Sequence, residues 1–166
     1  MKILLLVGLP GSGKTTLGDM IRDLTKSARV NADMVRSTIS IDLKFTVEDR
    51  RVQAFRMGAI SAIAVQKPPS LSLYTEDFLE RLNKTVVTDF VCPTPEMHKE
   101  FVWAVKMTDR RIHVITVWMN TITPEQSRFP DTAALYQKPN PDQIQYSVQG
   151  FKTQEQLHTI ATDIVK

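Results

Sequence analysis

Residues 2–24, KILLLVGLPGSGKTTLGDMIRDL, decide the fold of this chain. The run KILLLV at 2–7 is almost continuously apolar, the pattern of a parallel strand buried on both faces. From Lys14 onward the apolar residues fall at Leu17, Met20, Ile21 and Leu24, the spacing of one helix face. Between strand and helix, Gly8–Thr15 satisfies G-x-x-x-x-G-K-[ST] in full, and the motif has physical meaning only in that context.

Each residue type in the loop has a task. Glycines let backbone N–H groups turn inward and approach phosphate oxygens closely. The start of the helix adds the positive end of its dipole. The expected nucleotide cradle is therefore Gly8, Pro10, Gly11, Ser12, Gly13, Lys14, Thr15 and Thr16. Lys14 is expected on the β- and γ-phosphates of ATP, and the Thr15 hydroxyl on Mg²⁺.

Working outward, the rest of the chain alternates strands with helices. Strands are expected ending near Asn31, over 85–91 (TVVTDFV) and over 112–119 (IHVITVWM), with a weak one near 143–148. Thr46 is expected to cap a helix whose buried stripe is Val52, Phe55, Ala59, Ile60 and Ile63. A short helix is expected over 75–82. Thr94 and Pro95 open another helix, with Met97, Phe101, Ala104 and Val105 inward. Residues 120–141, rich in Pro, Thr and Gln, read as a mobile surface segment with a helical turn around Ala133–Tyr136. Thr153 with Gln156 caps a last helix whose stripe is Leu157, Ile160, Ala161 and Ile164. The expected fold class is α/β: a three-layer sandwich with a parallel sheet covered on both faces, its ligands at the carboxyl ends of the strands.

Composition narrows the setting. The 166 residues suit one domain over 1–166, and 42% apolar with 23% charged residues is an ordinary globular profile. The net charge of +3 fits an anionic ligand without requiring nucleic acid or a membrane surface. No apolar run is long enough to span a bilayer, no signal peptide is read, and Cys92 is the sole cysteine. A reducing, cytoplasmic setting is expected.

Beyond the loop, three constellations carry chemistry. In VNADMVRSTI (30–39), Asp33 and Arg36 are three apart on one side of a short helix. Asp33 can accept a proton from an attacking hydroxyl or help hold the metal, and Arg36 can clamp an anion; the plain alternative is a capping residue and a solvated charge. Asp89, ending an apolar strand, is expected to support Mg²⁺ and needs a partner if buried. Phe45 with Arg50, Arg51 and Arg56 suits a planar base beside anionic oxygens, or else is a solvated basic face. Against a GTPase, NKTV at 83–86 lacks the aspartate of N-K-x-D, and 166 residues leave little room for a motor. His98, His113 and His158 have no metal-binding spacing and read as surface or strand residues. Cys92 reads as a buried thiol near the site, while Trp103 and Trp118 fit either core or ligand packing.

The loop, NADMVR (31–36), DLKFTVEDRR (42–51), RMG (56–58), VVTDFVCPTP (86–95), YQKPNPDQI (136–144) and TQEQL (153–157) resemble adenylylsulfate kinases, in order and over most of the chain. Those enzymes carry G-D-N-V-R, then D-L-G-F-S-x-x-D-R, then a strand ending S-F-I-S-P. The resemblance implies the P-loop NTPase fold of nucleoside and shikimate kinases. It also implies transfer of the γ-phosphate of ATP to the ribose 3′-hydroxyl of adenylyl sulfate with Mg²⁺, and a possible homodimer. Asp33 matches the essential aspartate; Arg36, Phe45 and Arg50 match substrate-binding positions; Gln53 stands for the usual asparagine. Arg128 is the lid cation expected on the transferring phosphoryl group. Asn31 replaces an aspartate, Cys92 a serine, and Thr94–Pro95 a tyrosine–arginine pair. The lid segment is shorter, with only Arg128 and Lys138 as basic candidates, and 67–84 is longer. GLPGSGK, NADMVR and VVTDF also resemble phosphate-loop polynucleotide kinases, with Pro10 and Asp89 on that side, so a hydroxyl of DNA or RNA remains an alternative acceptor. A nucleotide-binding module without chemistry is the third reading.

Overall fold

A computed structural model describes residues 1–66 and 85–166. The expected helix at 75–82 and the long segment at 67–84 lie outside the described residues. Lys2–Val7 (β1), Ala28–Asn31 (β2), Thr85–Asp89 (β3), His113–Asn120 (β4) and Tyr146–Gln149 (β5) form one sheet in the order β2-β3-β1-β4-β5. Every pairing in it is parallel. The helices are Lys14–Thr25 (α1), Ala32–Thr38 (α2), Val47–Val65 (α3), Pro95–Thr108 (α4), Pro130–Leu135 (α5) and Gln154–Val165 (α6).

Alternation along β1 builds a core on each side of the sheet. Ile3, Leu5 and Val7 pack with Ala54 and Met57 of α3 and with Met97, Phe101 and Val105 of α4. Leu4 and Leu6 face the other way, onto Leu17 and Ile21 of α1 and Leu157, Ala161 and Ile164 of α6. Each such side chain removed from water contributes about 1.5–3 kcal/mol, which ties the helices to the sheet and leaves its carboxyl edge free. The chain leaves β1 toward β2 and leaves β3 toward β4, so β1 and β3 flank the topological switch point where a crevice opens.

The caps form where expected. The Thr46 hydroxyl accepts from the Asp49 N–H, the Thr94 hydroxyl from Met97, and Thr153 closes a capping box with Gln156. Asn31 caps α2 by accepting from the N–H groups of Asp33 and Met34.

The buried face of α3 is not the expected one. Gln53, Ala54, Met57, Gly58, Ser61, Ala62 and Val65 are buried, whereas Val52, Phe55 and Ile63 are exposed. The helix is turned by about one residue, roughly 100°. The cause is close approach to α4: a Cβ on Gly58 would lie 2.3 Å from the Phe101 carbonyl oxygen. Small residues face α4 so that the two backbones can meet, and the large apolar ones are left outside. Phe55 there packs on Trp103 with ring centroids 5.3 Å apart.

Residues 120–141 hold more local structure than the one expected helical turn. They hold two 3₁₀ turns' worth of local structure around α5: Pro124–Gln126 precedes it and Pro141–Gln143 starts at the segment's end. The segment is stitched to the site: the Thr121 hydroxyl donates to the Ser12 carbonyl (2.8 Å) and the Gln137 N–H to the Pro93 carbonyl (2.7 Å). Trp118 packs against the core and donates from Nε1 to the Tyr136 hydroxyl at 2.8 Å. His98, expected at the surface or in a strand, is buried on α4 and shares a 2.8 Å hydrogen bond with Thr116; burial pushes its pKa down to about 4. No helix among the described residues is long and apolar enough to cross a membrane.

Candidate active site

The loop after β1 is shaped by glycines in conformations other residues resist. Gly8 has φ 147°, and a Cβ on it would lie 2.5 Å from the Met119 carbonyl oxygen; Gly13, with φ 86°, caps α1 in the left-handed region. Lys14 is therefore the first residue of α1, and its ammonium folds over the loop. It donates to the Gly8 (2.9 Å) and Leu9 (2.7 Å) carbonyls and lies 3.4 Å from the Ser12 hydroxyl. Burial lowers its pKa to about 8, while the carboxylates of Asp89 and then Asp33 hold it up.

A cavity of about 390 Å³ opens beside this loop. It is walled by the loop, by α2, by the start of α3, by residues 89–93 at the end of β3 and by α5. Of the residues expected from sequence, Pro10, Gly11, Lys14, Thr15, Asp33, Arg36, Phe45, Arg50, Gln53 and Asp89 line it. Gly8, Ser12 and Gly13 shape the loop without lining the cavity, and Thr16 is exposed on α1. Arg128 is also exposed and is not among the lining residues; α5 sends Phe129 and Thr132 instead.

Asp33 lies in the first turn of α2 and Arg36 in its last, so both side chains face the cavity. The aromatic cluster is tighter than expected but smaller. The Arg36 guanidinium lies 4.6 Å and that of Arg50 5.4 Å from the Phe45 ring centre. Arg36 also donates to the Lys44 carbonyl, and Arg50 to the Phe45 carbonyl and the Thr132 hydroxyl, each at 3.0 Å. Arg51 and Arg56 are not part of it: Arg51 pairs with Glu100, and Arg56 grips both oxygens of Asp42. Burial, and for Arg36 next the neighbouring Arg50, keeps both cavity guanidiniums below the ordinary arginine value. Two cations that face a cavity side by side favour an anion between them.

Asp89, 2% exposed, has the partner that its burial demands. Arg29 donates to its two oxygens at 2.8 and 3.0 Å, and Asn31, its register partner on β2, donates at 2.8 Å. The far side of Arg29 is held by Asp19 at 2.6 Å. The sequence reading missed Arg29; the signal was a lone charge in a short strand two residues before Asn31, on the side facing Asp89. Phe129 and Thr132 were missed as well. Cys92 lines the cavity as expected, with φ 47°, and burial pushes its thiol up.

The residues fit Mg²⁺ brought in with a nucleotide rather than an all-protein cage. No cluster of three or more acidic, His or Cys side chains able to hold a metal occurs among the described residues. The Thr15 hydroxyl and the Asp33 carboxylate are exposed at the cavity, and Mg²⁺ commonly takes few protein ligands plus phosphates.

Parallel sheet, switch-point crevice and glycine loop define a P-loop NTPase fold. The adenylylsulfate kinase family model matches residues 1–154, and the chain belongs to that family of ATP-dependent kinases. Among solved structures it is similar to the APS kinase of Mycobacterium tuberculosis in complex with AMPPNP and APS, with TM-score 0.69 and 19% identity over 99% of this chain and 95% of that one. A gluconokinase from Sinorhizobium meliloti matches with TM-score 0.60 and 11% identity, over 99% and 95% of the two chains. A shikimate kinase from Acinetobacter baumannii matches with TM-score 0.51 and 13% identity, over 99% and 90%. None of the curated proteins matches this chain.

Proposed function

We infer that the chain transfers the γ-phosphate of ATP to the ribose 3′-hydroxyl of adenylyl sulfate. The observation that carries this reading is one cavity lined by Lys14 and Thr15 at one end and by Arg36, Phe45 and Arg50 at the other, with Asp33 also on its wall. Family membership and the APS-bound relative support the acceptor.

In this reading the loop N–H groups and Lys14 hold the β- and γ-phosphates, and Thr15 would hold Mg²⁺, which would neutralise charge on the transferring group. Arg36 and Arg50 hold the phosphosulfate, with the base against Phe45. Asp33 orients the 3′-hydroxyl and accepts its proton as the new O–P bond forms and the bond to the β-phosphate oxygen breaks, releasing ADP. Asp89, with both oxygens engaged by Arg29 and Asn31, acts at a distance: its charge keeps Lys14 protonated. Catalysis is then mostly positioning and charge neutralisation.

The test is transfer of labelled phosphate from ATP to adenylyl sulfate, set against a hydroxyl-bearing oligonucleotide. Label on adenylyl sulfate with equimolar ADP is expected. Label only on the oligonucleotide would replace this acceptor with a nucleic acid, and ATP binding with transfer to neither would remove the kinase reading.

A further inference from the structure

The amide of Asn31 makes three hydrogen bonds and joins two elements that wall the cavity. Its Nδ2 donates to Asp89 at the end of β3, at 2.8 Å. Its Oδ1 accepts from the N–H groups of Asp33 (3.0 Å) and Met34 (3.1 Å) in the first turn of α2. Chemistry fixes this orientation, since backbone N–H groups only donate and a carboxylate paired with arginine only accepts.

The two ends of this tie are unequal. α2 has seven residues, too few for a helix to keep its place unaided, and Val35 is its sole buried side chain. Asp33, exposed on that helix, takes its position from the cap. Asp89 is anchored far more firmly. It is 2% exposed, Arg29 donates to both its oxygens, and Asp19 on α1 holds Arg29 in turn at 2.6 Å. Gly18 leaves room for that guanidinium, because a Cβ there would lie 3.3 Å from its Nε. The tie thus runs from α1, which begins with Lys14, through Arg29, Asp89 and Asn31 to the backbone of Asp33.

The residue type at 31 narrows the role. Asn, Asp, Ser and Thr all cap helices well, so capping alone does not call for an amide. An aspartate would cap α2 but set a second carboxylate against Asp89. A hydroxyl would cap α2 but, one atom shorter, would fall short of Asp89. Of the four, only asparagine serves both elements. We propose that Asn31 is a positioning residue: it hangs the turn that carries Asp33 on Asp89, and so fixes that carboxylate relative to the phosphate loop. This rests on the reading of Asp33 as the group that activates the acceptor hydroxyl, and adds what holds it in place. Phosphoryl transfer tolerates little misplacement, and a shift of about 1 Å can cost on the order of a hundredfold in rate.

The experiment measures kcat, the KM for ATP and for adenylyl sulfate, and the stoichiometry of ATP binding. The variants are Asn31→Ser, Asn31→Asp and the exchanged pair, Asn31→Asp with Asp89→Asn. In the exchanged pair the carboxylate at 31 caps α2, and the amide at 89 donates to it while still accepting from Arg29. Asn31→Ser keeps the cap and is expected to lower kcat about tenfold or more, with the KM for ATP within about twofold. Asn31→Asp loses at least as much, and the exchanged pair recovers most of that loss. Rates are expressed per ATP site, so a smaller folded fraction does not pass for a slower enzyme. A role confined to capping predicts instead that Asn31→Ser and Asn31→Asp keep the wild-type kcat, and that result overturns the proposal. So does an exchanged pair as slow as Asn31→Asp, or a loss carried by the KM for ATP rather than by kcat. If Asn31→Asp does not fold, Asn31→Ser decides alone. These outcomes leave the adenylyl sulfate reading standing. Lack of transfer by the wild type removes that reading, and the positioning role with it.

Discussion

The two ends of the cavity differ in how far the protein answers its own polar groups. At the loop, Lys14 is held by the Gly8 and Leu9 carbonyls, and Asp89 by three donors from Arg29 and Asn31. At the other end Gln53 has no partner, and Phe45 and Phe129 are exposed into the cavity. At the first end the buried charges are met by protein groups, whereas at the second the large side chains stand open to the cavity. In the proposed reading the loop end takes ATP and the other end takes the acceptor.

This contrast can be broken by experiment. The largest expected effect is Lys14→Ala, which removes the donor cation and lowers phosphate transfer by at least about a hundredfold in steady-state assays. Measurable transfer near the wild-type rate would show that the loop does not need its lysine. Next is Arg29→Met, which leaves the Asp89 carboxylate buried without its main partner. A loss of about 3–5 kcal/mol in urea unfolding is expected, and Arg29→Met with Asp89→Asn together should recover much of it. No loss in the single variant would mean that the donor end does not depend on this pair. The smallest effect is Arg128→Ala: with the side chain exposed and outside the cavity lining, kcat/KM should stay within about twofold and stability within about 0.5 kcal/mol. A large fall in kcat would return Arg128 to the site.

Patterns within one short stretch were readable in advance. The β1-loop-α1 unit and the caps at Thr46, Thr94 and Thr153 follow from neighbours three or four residues apart. What depended on distant partners was hidden. The α3 face was misread because hydrophobicity favours Val52 and Phe55, whereas closeness to α4 requires Gly58 and the sheet receives Ser61 through Thr88. His98 is buried because Thr116, on another element, gives it a partner. The 120–141 segment reads as loose by composition, yet Thr121 reaches Ser12 and Gln137 reaches Pro93. Asp33 with Arg36 and Phe45 with Arg50 were readable as short-range constellations, Gln53 only through the resemblance to adenylylsulfate kinases, and the cavity gathers all five. Arg29 and Thr132 lie outside those motifs.

Asp33 lies where the two ends meet, and Asp33→Asn tests the account most directly when ATP affinity and phosphate transfer to adenylyl sulfate are measured on the same preparation. The account predicts an ATP dissociation constant within about twofold of wild type and transfer reduced by about a hundredfold or more. Transfer at the wild-type rate, or a collapse of ATP affinity alongside it, would contradict the division of labour between a self-sufficient donor end and an acceptor end that this carboxylate activates.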